Sequence, residues 1–125
     1  MDELIFHRRT VEPTNTPAVI DRNRALLERA EGFVYKTVDG HDLGAYAFRP
    51  HGEAPEGGWP VMLYFYSSTW DSGLLSQFAP HALYFASRGM MGILIDYRVS
   101  VRHGAAPEAA MADARSAVRW ARENA

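Results

Sequence analysis

Hydroxyl side chains gather at one point of the sequence, directly after its most apolar run. Residues 61–66, VMLYFY, are followed at once by Ser67, Ser68 and Thr69, and then by Trp70. Backbone and hydroxyl donors at the end of a strand can stabilise a developing negative charge. The same hydroxyls can instead satisfy backbone groups at the strand end. Which of the two applies depends on how the rest of the chain positions this turn.

Other kinds of reactive site leave no signature. The sequence has no G-x-G-x-x-G and no G-x-x-x-x-G-K-[ST], and the turn after residue 66 has no glycine before Gly73, so a phosphate-binding loop is not indicated. Cysteine is absent, and the five histidines show neither helical ligand spacing nor H-E-x-x-H. No metal and no cofactor is therefore predicted. No serine stands in G-x-S-x-G, the turn that exposes a nucleophilic serine at a strand end.

Composition favours a globular chain of one domain or less. The 125 residues are 47% apolar and 12% aromatic, which is enough to bury a core. The net charge of −2 comes from 13 basic and 15 acidic residues spread along the chain, so nucleic-acid binding is not expected. No apolar run approaches the roughly 20 residues of a membrane helix, and no signal-peptide pattern follows Met1. We therefore expect no membrane partner and a cytoplasmic protein.

Residues 1–31 are predicted to form an N-terminal arm with one short helix. The polar, proline-containing residues 1–19 are typical of a mobile segment. Residues 20–31 predict a helix with Asp21 as its N-cap and Gly32 as its end. The pattern leaves open whether this arm caps a site, packs on the sheet or stays loose.

Residues 32–125 are predicted to form an α/β domain that begins with a hairpin. Two strand-like runs, FVYKTV (33–38) and LGAYAFR (43–49), flank the Asp-Gly of residues 39–42, a strong hairpin signal. Residues 50–60 have the composition of a loop.

A strand, a helix and a second strand follow the loop. Residues 61–66 show no alternation, as expected of a parallel strand that is covered on both faces. PHALYFASR (80–88) predicts a helix with Pro80 in its first turn and Gly89 as its stop, and MGILIDY (91–97) predicts the next buried strand. Two buried strands joined by a helix form a βαβ unit.

Pro107 is predicted to start the last helix, over residues 107–124. Its apolar residues recur at helical spacing and predict one buried stripe. That stripe consists of Ala110, Met111, Ala114, Ala117, Val118 and Ala121.

Two stretches together resemble a known family. One is residues 61–73 followed by QFAPHALYFASRGM (77–90), and the other is IDYRVSVRHGAAPEAAMADARSAVRWARENA (95–125). They are similar to the α/β-hydrolase esterase/lipase group that includes hormone-sensitive-lipase-like enzymes and the BD-FAE carboxylesterases. In that group a buried strand ends in an HGGGW-type turn, and a DYR motif opens the loop before a helix. Over about residues 33–125, the resemblance implies the N-terminal half of an α/β-hydrolase sheet: an antiparallel hairpin, then a parallel βαβα unit, in three layers.

The resemblance implies an oxyanion turn, because the family's turn presents backbone N–H groups to the oxyanion of an ester's tetrahedral intermediate. Here Tyr66 stands in place of the family's histidine, and Ser67, Ser68 and Thr69 replace three glycines. Tyr66, Ser67 and Ser68 are the oxyanion-hole candidates, and Trp70, which keeps its type, is the substrate-pocket candidate. A serine in left-handed conformation costs about 1–2 kcal/mol. The alternative for the turn is ordinary loop geometry, in which its hydroxyls satisfy backbone groups at the strand end. The alternative for Trp70 is plain packing.

The D-Y-R motif is formed by Asp96, Tyr97 and Arg98. Asp96 and Arg98 are interpreted as a structural pair that orders the loop before the last helix, and Asp113 is expected to join them. Further matches to the family's loop and helix are Arg102, His103, Gly104, Pro107 and Ala114.

The resemblance also implies that the catalytic residues lie outside this sequence. In this fold they follow in the order Ser, acid, His, and the nucleophile turn comes after the helix that ends here near Asn124. We therefore expect no catalytic residue in this chain, a truncated domain that is inactive alone, and a small-molecule carboxylic ester as the substrate of the full-length family.

The family's strand order, 1-2-4-3-5, implies that strand 61–66 lies at an open edge. An apolar edge is a template for another strand, so we expect a homo-oligomer, strand exchange, or a complementing C-terminal half. Two alternatives remain: a non-enzymatic α/β protein that uses this edge to bind itself or a partner, and a small flavodoxin-like binder of nucleotide or flavin.

Overall fold

The computed structural model describes residues 17–66, 74–99 and 103–124. The elements are α1 (Pro17–Leu27), β1 (Glu31–Val38), β2 (His41–Phe48), β3 (Val61–Phe65), a 3-10 turn (Leu75–Phe78), α2 (Ala79–Ala86), β4 (Met91–Ile95) and α3 (Pro107–Asn124). The strands form a four-stranded sheet with the order β1-β2-β4-β3, as the resemblance implied. Strands β1 and β2 are antiparallel, as are β2 and β4, whereas β3 and β4 are parallel.

The predicted hairpin is confirmed, with a tighter turn than the sequence indicated. Strands β1 and β2 are joined by Asp39 and Gly40 alone, whose φ angles are 51° and 77°. Positive φ at both central residues matches the twist of the flanking strands, and Asp-Gly is suited to it. His41 and Asp42, which were expected in the turn, pair in the sheet with Val38 and Thr37.

The predicted strand–helix–strand unit is also confirmed. Pro80 lies in the first turn of α2, and Gly89, with a φ of 84°, follows the end of the helix. Helix α2 packs closely on β4 because Gly92 has no side chain: a Cβ there would lie 2.7 Å from the Ala82 Cβ. The two strands are shorter than predicted, ending at Phe65 and Ile95.

The sheet is the middle of three layers. Every residue of β4 is buried, and its side chains alternate between the two faces. On one face the core comprises Ala45, Ala47, Met91, Ile93, Ile95 and Ala117 of α3, with Phe33 and Trp120 packed against it. On the other face it comprises Phe48, Leu94 and the α2 residues Ala79, Ala82 and Ala86, with Leu26 and Leu27 of α1 against them.

Helix α1 differs from its prediction at both ends. It begins at Pro17, so Asp21 lies inside the helix rather than at its N-cap, and residues 17–19 are helical rather than part of a mobile segment. It ends at Leu27, and Gly32 belongs to β1, opposite Tyr46. A proline in the first helical turn is favourable because its missing N–H would have no partner there. Residues 1–16 lie outside the described part of the chain.

Helix α3 has the predicted bounds but a rotated buried face. Its buried residues are Ala110, Asp113, Ala117 and Ala121. Met111 and Val118, which were expected to be buried, are 50% and 40% exposed. The helix is turned so that Asp113 and Trp120 face the sheet. None of the described helices is long and apolar enough to cross a membrane.

Candidate functional site

The candidate residues lie at the ends of two neighbouring parallel strands. Tyr66 directly follows β3, and residues 96–98 directly follow β4. The carboxyl ends of parallel strands are the usual location of binding sites in α/β proteins. The fold therefore brings together the start of the hydroxyl-rich turn and the D-Y-R motif.

A reciprocal pair of tyrosines joins the two strand ends. The Tyr97 hydroxyl donates to the Tyr66 carbonyl over 2.5 Å, and the Tyr66 hydroxyl donates to the Tyr97 carbonyl over 3.2 Å. The two rings are stacked, with centroids 4.4 Å apart, and both side chains are buried. Each tyrosine thus binds the backbone of the other strand end. This arrangement fixes the position at which the chain leaves β3.

Asp96 belongs to the same cluster. Its Oδ1 is 3.3 Å from the Tyr66 hydroxyl, and its carbonyl accepts a hydrogen bond from the Tyr35 hydroxyl of β1. Burial, together with the carboxylates of Asp113 and Asp96, raises the pKa of Tyr35 well above its usual value. Tyr35 therefore remains a neutral hydrogen-bond donor at all ordinary pH values.

Arg98 pairs with Asp113, which corrects the expectation of an Asp96–Arg98 pair. The Arg98 Nε and Nη2 lie 3.0 and 2.9 Å from the two oxygens of Asp113, and its backbone N–H donates to the same carboxylate over 2.9 Å. A guanidinium and a carboxylate in this bidentate geometry form one of the stronger ion pairs in proteins. Among the described residues, the other ion pair of Arg98 is with Asp39 of the hairpin turn, at 3.0 Å.

Asp113 is fully buried and also accepts from Lys36 Nζ over 2.9 Å. Burial alone would raise the pKa of its carboxyl, but the hydrogen bonds from Arg98 and Lys36 outweigh it and hold the pKa below its usual value. Asp113 therefore remains ionised. The network of Lys36, Asp39, Arg98 and Asp113 connects β1 and the hairpin turn to the end of β4 and to α3. With its carboxylate oxygens already bonded, Asp113 serves to hold structure rather than to take up a proton.

Comparison with known proteins finds similar solved structures among esterases. The chain resembles a thermophilic esterase from the planctomycete Thermogutta terrifontis with a TM-score of 0.72 and 41% identity, over 75% of this chain. The apo form of the same esterase gives a TM-score of 0.74 and 40% identity over 78% of this chain. The fold is that of the N-terminal part of an α/β hydrolase.

The similarity covers only part of each relative. The chain spans 34% of the length of the Thermogutta esterase. An AB hydrolase superfamily protein of Schizosaccharomyces pombe is 37% identical over 54 residues, which are 42% of this chain and 16% of that protein. No family model matches the chain.

Three of the candidate residues of this α/β-hydrolase fold lie outside the described residues. Ser67, Ser68 and Trp70 fall between residues 66 and 74. Tyr66 is described, and its hydroxyl points back towards the D-Y-R motif. Within residues 17–66, 74–99 and 103–124, no group of three or more His, Cys, Asp or Glu side chains could hold a metal ion.

No local signal in the sequence pointed to three participants in the site, namely Tyr35, Lys36 and Asp39. They lie in the hairpin, 59 or more positions before their partners Asp96, Arg98 and Asp113. The only signal within β1 was indirect: charged and hydroxyl-bearing residues stand among its apolar residues on both faces of the strand. Such contacts require the sheet order, which brings the hairpin beside β4.

Proposed function

We propose that this chain is part of a carboxylic-ester hydrolase of the serine esterase type, namely the part that carries the oxyanion turn. In this proposal it supplies the first four strands of the sheet, whereas the nucleophile, the acid and the base come from sequence beyond these residues or from a complementing C-terminal half. The 125-residue chain is therefore inactive by itself. The observation that carries the proposal is the 41% identity to the Thermogutta esterase over 75% of the chain.

The substrate class that we propose is a small carboxylic ester with a short acyl chain. Structures of the Thermogutta esterase have been solved with propionate and with butyrate bound, and with the protein phosphorylated by paraoxon. Propionate and butyrate are short carboxylates of the kind that ester hydrolysis releases. An organophosphate such as paraoxon reacts with an activated nucleophile. On this basis the proposal assigns esters with a short acyl chain to this chain as substrates.

The described residues support a positioning role for Tyr66 and Tyr97 in this reaction. Because each hydroxyl binds the opposite strand's backbone, the pair fixes the point from which the oxyanion turn begins. In the proposal, the amides of Ser67 and Ser68 donate to the oxyanion, and Trp70 contacts the substrate. Preorganised donors of this kind stabilise the transition state without reorganisation during the reaction.

The test compares two chains. A longer chain that begins with these residues and continues through a strand and a G-x-S-x-G turn should hydrolyse p-nitrophenyl butyrate and react covalently with a fluorophosphonate probe. The 125-residue chain should do neither. A folded longer chain that neither hydrolyses nor reacts would contradict the ester-hydrolase proposal, and labelling of the short chain would contradict its inactivity.

The oxyanion role of the turn is tested by removing the backbone N–H of Ser68. In the longer chain, Ser68→Pro deletes a backbone N–H, and we expect kcat to fall by about 10²–10³ if that N–H binds the oxyanion. Ser68→Gly is the matched control, because it keeps the N–H and restores the glycine found in the related turn. Equal activity of the two variants would remove Ser68 from the oxyanion hole.

A further inference from the structure

The pairing of β1 with β2 is irregular at one point, beside the candidate site. Val34 pairs with Gly44 and Lys36 pairs with Leu43, so Tyr35 is an extra residue in β1. An extra residue of this kind is a β-bulge, which interrupts the alternation of side chains and changes their direction. Two consecutive side chains of β1, Tyr35 and Lys36, therefore both reach the region formed by the end of β4 and α3.

Tyr35 and Lys36 make different kinds of contact there. Lys36 donates to the Asp113 carboxylate and belongs to the ion-pair network. The Tyr35 hydroxyl donates to the backbone carbonyl of Asp96 over 2.5 Å. The Asp96 N–H in turn donates to the Gly44 carbonyl of β2 over 2.9 Å. Both backbone groups of Asp96 are thus bonded to the hairpin, one of them through a side chain.

The contact between Tyr35 and Asp96 crosses a whole strand. Strands β1 and β4 lie on either side of β2, about 9–10 Å apart at the usual strand spacing. On the face that α3 covers, β2 presents the buried residues Ala45 and Ala47, and the Tyr35 side chain packs against the same core cluster. Two small side chains on β2 leave room for a long one from β1 to reach the end of β4.

Asp96 also contacts the residue from which the proposed oxyanion turn begins. Its Oδ1 lies 3.3 Å from the Tyr66 hydroxyl, and Tyr66 directly precedes residues 67–69. The contacts therefore run without a break from Tyr35 through Asp96 to Tyr66. Burial and the nearby carboxylates raise the pKa of Tyr35, so its hydroxyl stays a donor to Asp96 at all ordinary pH values.

We propose that Tyr35 is a positioning residue for the turn after β3, acting through Asp96 and Tyr66. Its effect on catalysis rests on the proposed function, whereas the path of contacts does not. Tyr66 and Tyr97 bind the two strand ends to each other. Tyr35 adds a connection from those strand ends to the hairpin. The hydroxyl of Tyr35 contacts no substrate in this proposal.

The path of contacts can be tested in the 125-residue chain without any activity. Tyr35→Phe removes the hydroxyl and keeps the ring, so the NMR resonances of the Tyr66 amide and ring should shift. Asp96→Ala breaks the same path at its middle and should shift the same resonances. Tyr46→Phe is the matched control, because Tyr46 lies on β2 and packs on the opposite face of the sheet, beside α2. It should leave the Tyr66 resonances in place.

Catalysis is the second measurement, made in the longer chain of the preceding section. Tyr35→Phe should lower kcat by about 10- to 100-fold and leave KM nearly unchanged. The reason is that a displaced oxyanion turn weakens contacts that form only in the transition state. Tyr46→Phe should keep the kcat of the unmodified chain. A loss of packing alone would lower the stability of Tyr35→Phe but not the kcat of its folded fraction.

A double variant tests whether Tyr35 acts through Tyr66. If it does, Tyr35→Phe should have little further effect on kcat once Tyr66→Phe is present, because contacts along one path are not additive. Independent, multiplicative losses in kcat would overturn the proposed path. An unchanged kcat in Tyr35→Phe would overturn the positioning role.

The two measurements separate this inference from the proposed function. If the Tyr66 resonances stay in place in Tyr35→Phe, the inference fails, whether or not the longer chain is an esterase. If the unmodified longer chain is folded but inactive, the proposed function fails, and the NMR comparison still decides whether Tyr35 positions Tyr66.

Discussion

Replacing Asp113 by asparagine should be the most destabilising conservative change in the described part of the chain. Asp113 is fully buried and accepts hydrogen bonds from the Arg98 guanidinium, the Arg98 amide and Lys36. The variant Asp113→Asn keeps the shape but leaves a buried guanidinium with one remaining carboxylate, Asp39, whose side chain is 76% exposed. Breaking a buried pair from one side costs about 3–5 kcal/mol.

That magnitude is a large part of the total stability. A domain of this kind is stabilised by about 5–15 kcal/mol, and a loss of 3 kcal/mol lowers Tm by roughly 10 °C. Denaturant unfolding followed by tryptophan fluorescence measures the change directly, since Trp120 lies on the same helix. Glu123→Gln is the matched control: it removes one negative charge from the same helix at an exposed position and should change the stability by less than about 0.5 kcal/mol.

A double-mutant cycle distinguishes the ion pair from general damage to the core. Arg98→Met and Asp113→Leu should each be strongly destabilising, because each leaves a buried charge without its bidentate partner. The double variant should be less destabilised than the sum of the two, by more than about 1 kcal/mol. Additive effects, or a cost below 1 kcal/mol for Asp113→Asn, would refute the reasoning that Asp113 is held ionised by its partners.

Three further outcomes follow from the same structure. Since the pKa of Asp113 is lowered in the folded chain, its stabilisation is present above its ordinary value of 3.8 and should be lost as the pH falls below it, and Asp113→Asn should flatten the stability profile in that acid range. Gly92→Ala should destabilise by about 1–3 kcal/mol in thermal unfolding because its Cβ would lie 2.7 Å from the Ala82 Cβ, whereas Gly32→Ala, whose Cβ meets only Tyr46 at 3.6 Å, should cost less. Tyr64→Phe should leave the free energy of unfolding unchanged or raise it by up to about 1 kcal/mol, because the Tyr64 hydroxyl is buried with no hydrogen-bond partner among the described residues. A fall in the free energy of unfolding by more than about 1 kcal/mol would reveal a partner.

The sequence predicted the elements of the fold where local signals were strong. The Asp-Gly turn, Pro80 and Gly89 each impose a backbone conformation on their own neighbourhood, and each was found where expected. The strand order came from the family resemblance rather than from the residues, because register and order depend on contacts between distant segments. The bounds of α1 were missed because Pro17 was interpreted as part of a mobile segment rather than as a first-turn residue.

In the candidate site, too, local motifs were predicted from the sequence, whereas contacts between distant segments were not. Asp96, Tyr97 and Arg98 were found from their motif, but the partner of Arg98 was wrongly assigned to Asp96, its neighbour in sequence. The Asp96 carboxylate instead accepts from the Tyr66 hydroxyl, whereas Asp113, 15 positions after Arg98, faces Arg98 from α3. The buried face of α3 was missed in the same way: the apolar stripe that included Met111 and Val118 predicted one side, but the buried side contains Asp113, whose partners lie on distant segments.

The alternation of backbone direction along β3 should be visible in the rates at which its amide hydrogens exchange with solvent. Met62 and Tyr64 donate into the ladder with β4, whereas the N–H groups of Val61, Leu63 and Phe65 face outward. Exchange requires the breaking of a hydrogen bond where one exists. Neighbouring residues of one short strand should therefore exchange slowly and rapidly in turn. Any strand that binds this edge would slow the rapid set and leave the other set unchanged.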